Sequence, residues 1–451
     1  MHYSKCSLKL VFERVIYILK ARKVDDGIGL YDPQGRENIN VTFSPTTWEI
    51  IKAIKKYGAE KAVNKIMNLF DIDEKNARED IKTVLTNLNT LHIDIDKIPL
   101  EVSEKKFAPR TFQIDITPRC NSKCLYCLSS DLMSHSEEMT TNQIIDAIKK
   151  AYDLEMYSLT ISGGEPFLRD DLFEILDFVN KYGVTTWIFS NGMLITEDIA
   201  KKLGSYKNVN IQISLDSSKS NNHDFQRGGK GFFKKTEAGI KNLIKYGKTP
   251  TIATILTPYN FDDLEDTTEY LYKLGINSIR VGTVWVNTGK AKENRERLYL
   301  DFEKTKLIGN RLLKLIDKYK NKINFSASPK MFNYSKNPEL VSGLILGCDA
   351  GIENLYVASN GDVYPCYALA FPDFKAGNIK EDDISELWNK SDVFKIFRNL
   401  STKDFDKCKT CKMISHCEGG CRGNAFFKYG SLKAHDPIRC SYFLNDFKPD
   451  E

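Results

Sequence analysis

The placement of eleven cysteines constrains this chain more than any other feature. Three fall within "CNSKCLYC", as Cys120, Cys124 and Cys127. Seven more are Cys348, Cys366, Cys408, Cys411, Cys417, Cys421 and Cys440, and residues 128–347 contain none. Thiols that only fill a core would be scattered, whereas grouped thiols point to metal or redox chemistry. Disulfides are disfavoured because nothing suggests export. The N-terminal stretch "MHYSKCSLKLVFERVIYILKARK" has a short apolar run broken by Glu13 and Arg14, with no small-residue cleavage site after it. No stretch approaches the roughly 18 apolar residues of a membrane helix. The chain is therefore expected to be cytoplasmic, without a membrane partner, where thiols stay reduced. A net charge of +5 on 451 residues gives no reason to expect nucleic acid.

Three segments follow from the patterning. Residues 1–96 begin with the apolar stretches "LKLVF", "VIYIL", "IGLYD" and "INVTF", interrupted by the turn signal "DPQGREN". Helices come next. Ser44 and Pro45 read as N-cap and first helical residue, with Trp48, Ile50, Ile51 and Ile54 on one face. A second helix is expected over 59–70. Asp73 should cap a third, with Ala77, Ile81, Val84, Leu85 and Leu88 at helical spacing. Short strands before three helices make a winged-helix-like α+β domain. Residues 97–110, with Pro99 and Pro109, read as a linker.

Residues 111–325 alternate strand and helix through "FQIDIT", "YSLTIS", "TTWIFS", "VNIQISL", "TIATIL" and "SIRVGTV". Asp170 is expected to cap a helix over 171–182, and Thr196 one ending at Gly204. A further helix should run from near Asn260 to Gly275. Six βα units in one run imply a parallel sheet with right-handed crossovers, here a partial (β/α)6 TIM-like barrel with ligands at the strands' C-terminal ends. Residues 326–451 hold the seven-cysteine group, a hairpin at Asn360-Gly361 and a helix near 384–399. So loop-rich a segment has little core and needs another staple.

Cys120-x3-Cys124-x2-Cys127 directly follows the first strand of the barrel segment. Thiolates suit iron–sulfur clusters, and a four-iron cluster with three cysteines leaves one iron open to a substrate. Spacing alone also allows a structural Zn2+ with His135 as fourth ligand, or three unrelated thiols. "SGGEP" ends the second strand: its glycines allow close backbone approach to a ligand, and Glu165 offers an acceptor for an amino group. A plain Gly-Gly turn is the alternative.

With an aromatic residue, Tyr126, before the last cysteine, and with Gly163, Gly164, Glu165 and Pro166 one βα unit later, the chain resembles the radical S-adenosylmethionine (SAM) enzymes over residues 111–325. The resemblance implies a [4Fe-4S] cluster on Cys120, Cys124 and Cys127 whose fourth iron is chelated by the methionine moiety of SAM. Reductive cleavage there gives methionine and a 5′-deoxyadenosyl radical. It further implies Ser190 and Asn191 ("FSNG") near the SAM carboxylate and ribose, Ser214 and Asp216 ("ISLDS") at the ribose, and Arg227 ("HDFQRG") on the carboxylate. Each of these alone could equally be strand-end turn chemistry.

Cys348, Gly361-x4-Cys366, Cys408-x2-Cys411-x5-Cys417-x3-Cys421 and Cys440 resemble the SPASM domain of radical SAM enzymes that modify peptides and proteins. The implied cofactors are two auxiliary [4Fe-4S] clusters, making three in all with SAM. One would be held by Cys408, Cys411, Cys417 and Cys440, the other by Cys348, Cys366 and Cys421. A pair of zinc sites would also staple the segment. Eight ligands are needed and seven cysteines are present, with Cys6 in another domain. The last iron is left for Asp349, water or a substrate thiolate. Sulfatase-maturing relatives carry an aspartate base just after the second SPASM cysteine; Tyr367 stands there in this chain, which argues against that activity and leaves the base unassigned.

The N-terminal element order resembles the PqqD-like domain that binds leader peptides by strand addition. DNA binding through the third helix is an alternative, although Glu74, Glu79 and Asp80 beside Lys75 and Arg78 make a poor basic surface. A structural cap is a third. The expected function is modification of a ribosomally made precursor peptide by hydrogen abstraction, forming a thioether or carbon–carbon cross-link. Flavodoxin or ferredoxin would supply electrons, and no nucleic acid is involved. Epimerisation, oxidative decarboxylation of a peptide C-terminus, and an iron–sulfur redox sensor that binds DNA are the rival functions.

Overall fold

A computed structural model of the chain describes residues 20–24, 27–31, 40–91, 93–100, 102–103, 109–132, 137–156, 158–327, 347–405, 407–411 and 414–440. The expected strands "LKLVF" and "VIYIL", the "DPQGREN" turn, Cys6 and His135 lie outside these residues. Residues 1–106 and 107–451 form two separate units.

In the first unit, strands β1 (Lys20–Val24), β2 (Gly27–Tyr31) and β3 (Asn40–Phe43) run antiparallel in sequence. The helices sit where their caps predict. Ser44 Oγ accepts from Thr47 N at 3.1 Å to start α1 (Pro45–Tyr57), and Asp73 accepts from Asn76 N at 2.8 Å to start α3 (Glu74–Thr90). Helix α2 (Ala59–Phe70) lies between them. Trp48, Ile51, Val63, Ile66, Ile81 and Leu88 bury the shared faces. The stretch 97–110, expected to be a linker, contributes β4 (Val102–Ser103), which pairs parallel with β1. Alternating "LEVSE" has strand character that the flanking prolines masked. At the other edge, β3 pairs with no further described strand.

The second unit is built on seven parallel strands, one more than expected. They are β5 (Thr111–Asp115), β6 (Ser158–Ser162), β7 (Thr186–Ser190), β8 (Val209–Ser214), β9 (Thr251–Leu256), β10 (Ser278–Thr283) and β11 (Asn324–Ala327), each beside its predecessor in sequence. Consecutive order with a helix in each of the first five crossovers makes a partial barrel. The helices are α4 (Thr141–Asp153), α5 (Leu172–Lys181), α6 (Glu197–Ser205), α7 (Ser220–Arg227), α8 (Phe232–Lys245) and α9 (Leu264–Lys273), then α10 (Gly289–Glu293), α11 (Arg295–Leu298) and α12 (Phe302–Lys318). Thr196 caps α6 as expected. Asp170 does not cap α5: Asp171 takes the cap position and spends its carboxylate on Arg169 and Thr141. The segment from Asn260 opens as a 3-10 turn before α9.

The two faces of this sheet differ in chemistry. Phe112, Ile114, Leu159, Ile161, Ile188 and Ile213 are fully buried against the helices. The register places Thr111 beside Ser158 and Gln113 beside Thr160 on the other face, and Asn210 and Gln212 continue that row. Most of these inward positions are only half-buried. A closed barrel fills its inside with branched apolar side chains; this one lines its inward face mainly with polar side chains, interrupted by Trp187 and Phe189 of β7.

The hairpin at Asn360-Gly361 is present as β12 (Asn354–Val357) and β13 (Asp362–Tyr364), with Gly361 at φ +92°. It does not belong to a separate body, because β12 pairs parallel with β5 and extends the barrel sheet through β13 to β14 (Gly377–Asn378). An open barrel leaves the edge of its first strand unpaired, and the hairpin covers it. The helix expected over 384–399 is broken by an extended Ser391 into α13 (Ile384–Lys390) and α14 (Asp392–Arg398). Beyond lie α15 (Ile414–Cys417) and α16 (Arg422–Tyr429). Among the described residues no helix is long and apolar enough to cross a membrane.

Part of the staple for this loop-rich segment is a buried charge. The Arg422 guanidinium donates to the carbonyls of Gly419, Gly420, Leu432 and Ala434 and lies over the Phe405 ring at 4.1 Å. Replacing it strands several carbonyls away from water. Arg422→Met should cost about 3 kcal/mol and lower the first thermal transition; an unchanged melting curve would show that the loops hold without it.

Candidate active site

The cysteine loop is positioned by backbone pairing that outruns the strands. After β5 and β6 end, Ile116 N donates to Ser162 O (3.0 Å), Gly164 N to Thr117 O (2.8 Å) and Glu165 N to Arg119 O (2.8 Å). A Cβ on Gly164 would overlap the Arg119 carbonyl, and Gly163 adopts φ +128° against Thr117. The glycines thus permit a close approach between two segments of the chain. On its other side the loop is pinned to the end of α7: Lys123 N donates to Arg227 O (3.1 Å) and Leu125 N to Gln226 O (2.9 Å).

Cys120, Cys124 and Cys127 lie close enough to couple electrostatically. Burial pushes the Cys120 and Cys127 thiols to about 11. Ser122 N points at Cys120 Sγ (3.4 Å), and the Arg227 guanidinium reaches Cys124 Sγ at 3.8 Å.

Glu165 is fully buried, and both its oxygens have protein donors: Ser190 Oγ at 2.8 Å and Phe167 N at 3.2 Å on one, Asn191 N at 2.8 Å on the other. Burial raises its carboxyl to about 7. Asn191 Nδ2 also donates to Asn121 Oδ1 within the cysteine loop at 2.6 Å. Pro166 is buried behind this turn, and Ser214 ends β8 on the inward face. Sequence reasoning thus brought together residues that do meet. The structure gives two of them another partner, however. Arg227, expected to face a ligand carboxylate, donates Nε to Asp216 Oδ2 at 2.8 Å and Nη2 to Oδ1 at 3.3 Å. Tyr126 completes the set: its hydroxyl donates to Asp216 Oδ2 (2.5 Å) and its ring faces the guanidinium at 5.3 Å. Pairing satisfies two charges that burial would otherwise penalise.

Arg169 was missed. Its buried guanidinium donates to Ile116 O (2.8 Å) and Met139 O (3.0 Å) and pairs with Asp171, whose carboxyl the contact holds down at about 2. It thereby locks the start of the cysteine loop. The only sequence signal was an arginine following the apolar turn "EPFL".

The seven C-terminal cysteines fall into two electrostatic neighbourhoods. Burial raises Cys366, and neighbouring Cys348 and Cys421 add to the effect. Burial takes Cys440 to about 12, with Cys417, Cys408 and Cys411 contributing. Peptide N–H groups point at the sulfurs: Arg422 and Ala350 at Cys348, Ala368 at Cys366, Asn424 and Gly423 at Cys421. Such donors stabilise cluster-bound thiolates. Among the described residues no three His, Cys, Asp or Glu side chains converge as a single-ion site. Asp349, beside Cys348, is held up by burial. Tyr367 is 46% exposed next to Cys366.

Residues 114–271 match the radical SAM superfamily and residues 348–417 an iron–sulfur cluster-binding domain, SPASM. Over 342 residues the chain is 30% identical to the mycofactocin maturase MftC of Mycolicibacterium smegmatis, covering 73% of this chain and 82% of that protein. It is 28% identical over 348 residues to the AdoMet-dependent heme synthase of Methanosarcina barkeri, covering 74% and 97%. In fold it is similar to Streptococcus suis SuiB bound to its precursor peptide SuiA, with TM-score 0.69 at 18% identity over 93% of this chain and 98% of that one. The chain belongs to the radical SAM superfamily and carries a SPASM iron–sulfur domain. Its cofactors are accordingly [4Fe-4S] and SAM.

Glu165 gives a pH test. Below its ordinary value of 4.5 both folded and unfolded states hold the proton. As pH rises to about 7 the unfolded chain releases it while the buried carboxyl keeps it, so stability falls through that window. The full loss is at most about 3 kcal/mol. Whatever constant offset Glu165→Gln introduces, urea midpoints at pH 5 and pH 8 should shift in the variant's favour at the higher pH; parallel pH profiles would contradict the buried carboxyl.

Proposed function

We propose that this protein modifies a ribosomally made precursor peptide, working with reduced thiols in the cytoplasm. The observation that carries the reading is the first unit, in which β3 pairs with no further described strand on its outer edge. The sequence similarities to the heme synthase and to MftC alike span about three quarters of the chain, whereas the likeness in fold to SuiB spans 93% and takes in the first unit. That shared first unit supports a peptide substrate, with the N-terminal PqqD-like domain as the element that selects it. A leader peptide would add as a strand beside β3 against α3, its backbone supplying affinity and its side chains selectivity. Arg78 of α3 is already paired with Glu60 and Glu74, which speaks against a DNA-reading helix.

Cys120, Cys124 and Cys127 would hold the first cluster. Cys408, Cys411, Cys417 and Cys440 would hold a second, and Cys348, Cys366 and Cys421 a third with one iron left for Asp349, water or a substrate thiolate. A cluster held by Cys120, Cys124 and Cys127 would, with SAM bound, supply the electron for reductive cleavage of SAM. The chain's own residues orient and exclude. Glu165, Ser190 and Asn191 fix the strand-end turns around the SAM amino and ribose groups, and Ser214 lies beside them on β8. The Arg227–Asp216–Tyr126 set braces the cysteine loop and sets a positive charge beside Cys124. The polar inward face of the sheet admits the core peptide. The product is a thioether or carbon–carbon cross-link, with electrons drawn from a flavodoxin or ferredoxin.

Anaerobically reconstituted protein with SAM and dithionite should release 5′-deoxyadenosine, and Cys124→Ala should release none. A short peptide encoded nearby, co-expressed with the enzyme, should lose a pair of hydrogens by mass spectrometry. Unchanged mass with inverted stereochemistry would identify an epimerase instead, and loss of carbon dioxide a decarboxylase. Intact SAM would end the proposal.

A further inference from the structure

The inward face of the barrel sheet carries one uncommitted charge. Register puts Arg280 of β10 directly beside Ala253 of β9 and Ser326 of β11, on the face turned away from the helices. Ile279 and Val281, at 2% and 1% exposure, fill the helix side. Neither Ala253 nor Ser326 is charged or long enough to cover a guanidinium. Arg280 is exposed, and among the described residues no hydrogen bond or ion pair engages it. Among the described residues within strands β5 to β11 the only inward acid is Asp115, which is 6% exposed and accepts from the Tyr356 hydroxyl at 2.7 Å.

The C-terminal segment brings an aromatic border to the loop that follows β10. Trp285, on the loop after β10, meets the Tyr367 ring edge-on at 6.5 Å and is fixed by Nε1–H donation to Asn424 Oδ1 at 2.5 Å. A guanidinium on the inward wall, on the strand whose following loop carries Trp285 against Tyr367, is a ready fork for a planar anion.

We propose that Arg280 binds a carboxylate of the substrate peptide, either its C-terminus or an Asp or Glu side chain, and so holds the residue to be modified between the inward sheet face and the Cys366 loop. The proposal rests on the peptide-modifying reading above. It deepens that reading by making a carboxylate near the reacting residue a requirement of the substrate.

The test uses anaerobic holoenzyme and labels arginines with phenylglyoxal, following Arg280 by peptide mass spectrometry against exposed Arg295 as internal reference. The probes are three randomised hexapeptide mixtures: free acids lacking Asp and Glu, the same sequences as amides, and amides with Asp and Glu restored. Labelling of Arg280 should slow at least about threefold with a carboxylate-bearing mixture near twice its Kd, and not with the plain amides. The first mixture reports a C-terminal carboxylate and the third a side-chain one. Equal labelling with all three, or protection by SAM alone, would overturn the assignment, the latter by giving the guanidinium to SAM. Release of 5′-deoxyadenosine by the same preparation reports separately on the radical chemistry, so failure of that reading is not confused with failure of the carboxylate site.

Discussion

Everything at the candidate site depends on how closely two backbone segments approach after β5 and β6. The Gly163–Gly164 turn hydrogen-bonds to Thr117 and Arg119 at distances that leave no room for a Cβ. That contact sets where Cys120 begins its loop and brings the buried Glu165 close enough for its charge to influence the Cys120 thiol. Arg169 from below and the end of α7 from the side hold the loop against this seam. A cluster ligand set must be rigid before metal arrives, and hydrogen bonds between main-chain atoms are the stiffest means a loop has.

The same unit solves a second problem, that of an open barrel. Seven strands in sequence order leave a free edge at β5, and the β12–β13 hairpin takes it. This draws the cysteine-rich segment onto the barrel, and Trp285 and Asn287 reach across to Asn424 at 2.5 and 2.9 Å. Asn424 donates in turn to Asp436, which accepts from Cys421 N at 2.8 Å. The strap that continues from Asn287 returns to the first cysteine loop, where Ala291 N donates to Cys127 O (3.4 Å) and Asn294 Nδ2 to Leu125 O (3.1 Å). Two cysteine groups distant in sequence are thus held by one hydrogen-bonded path, which fixes the space available to a substrate between them.

The cysteine groups, the Gly-Gly-Glu turn, the strand order and the helix caps at Ser44, Asp73 and Thr196 were all legible, because each is written in local spacing or local chemistry. Four features were not. The pairing of Arg227 with Asp216, the locking role of Arg169, the docking of the hairpin on β5 and the pairing of β4 with β1 each join residues far apart in sequence. None has a periodicity or motif of its own. The Arg227–Asp216 pair follows from burial, which demands a partner for each charge.

By itself the sequence determined that grouped thiols lie at a parallel α/β strand end, because ligand type and spacing are covalent facts of the chain. Only the tertiary structure decided which charges are already neutralised and which remain available, because neutralisation depends on distance and burial. Arg227 is closed off by Asp216, whereas Arg280, the less conspicuous arginine in the sequence, faces the interior of the barrel without a partner among the described residues.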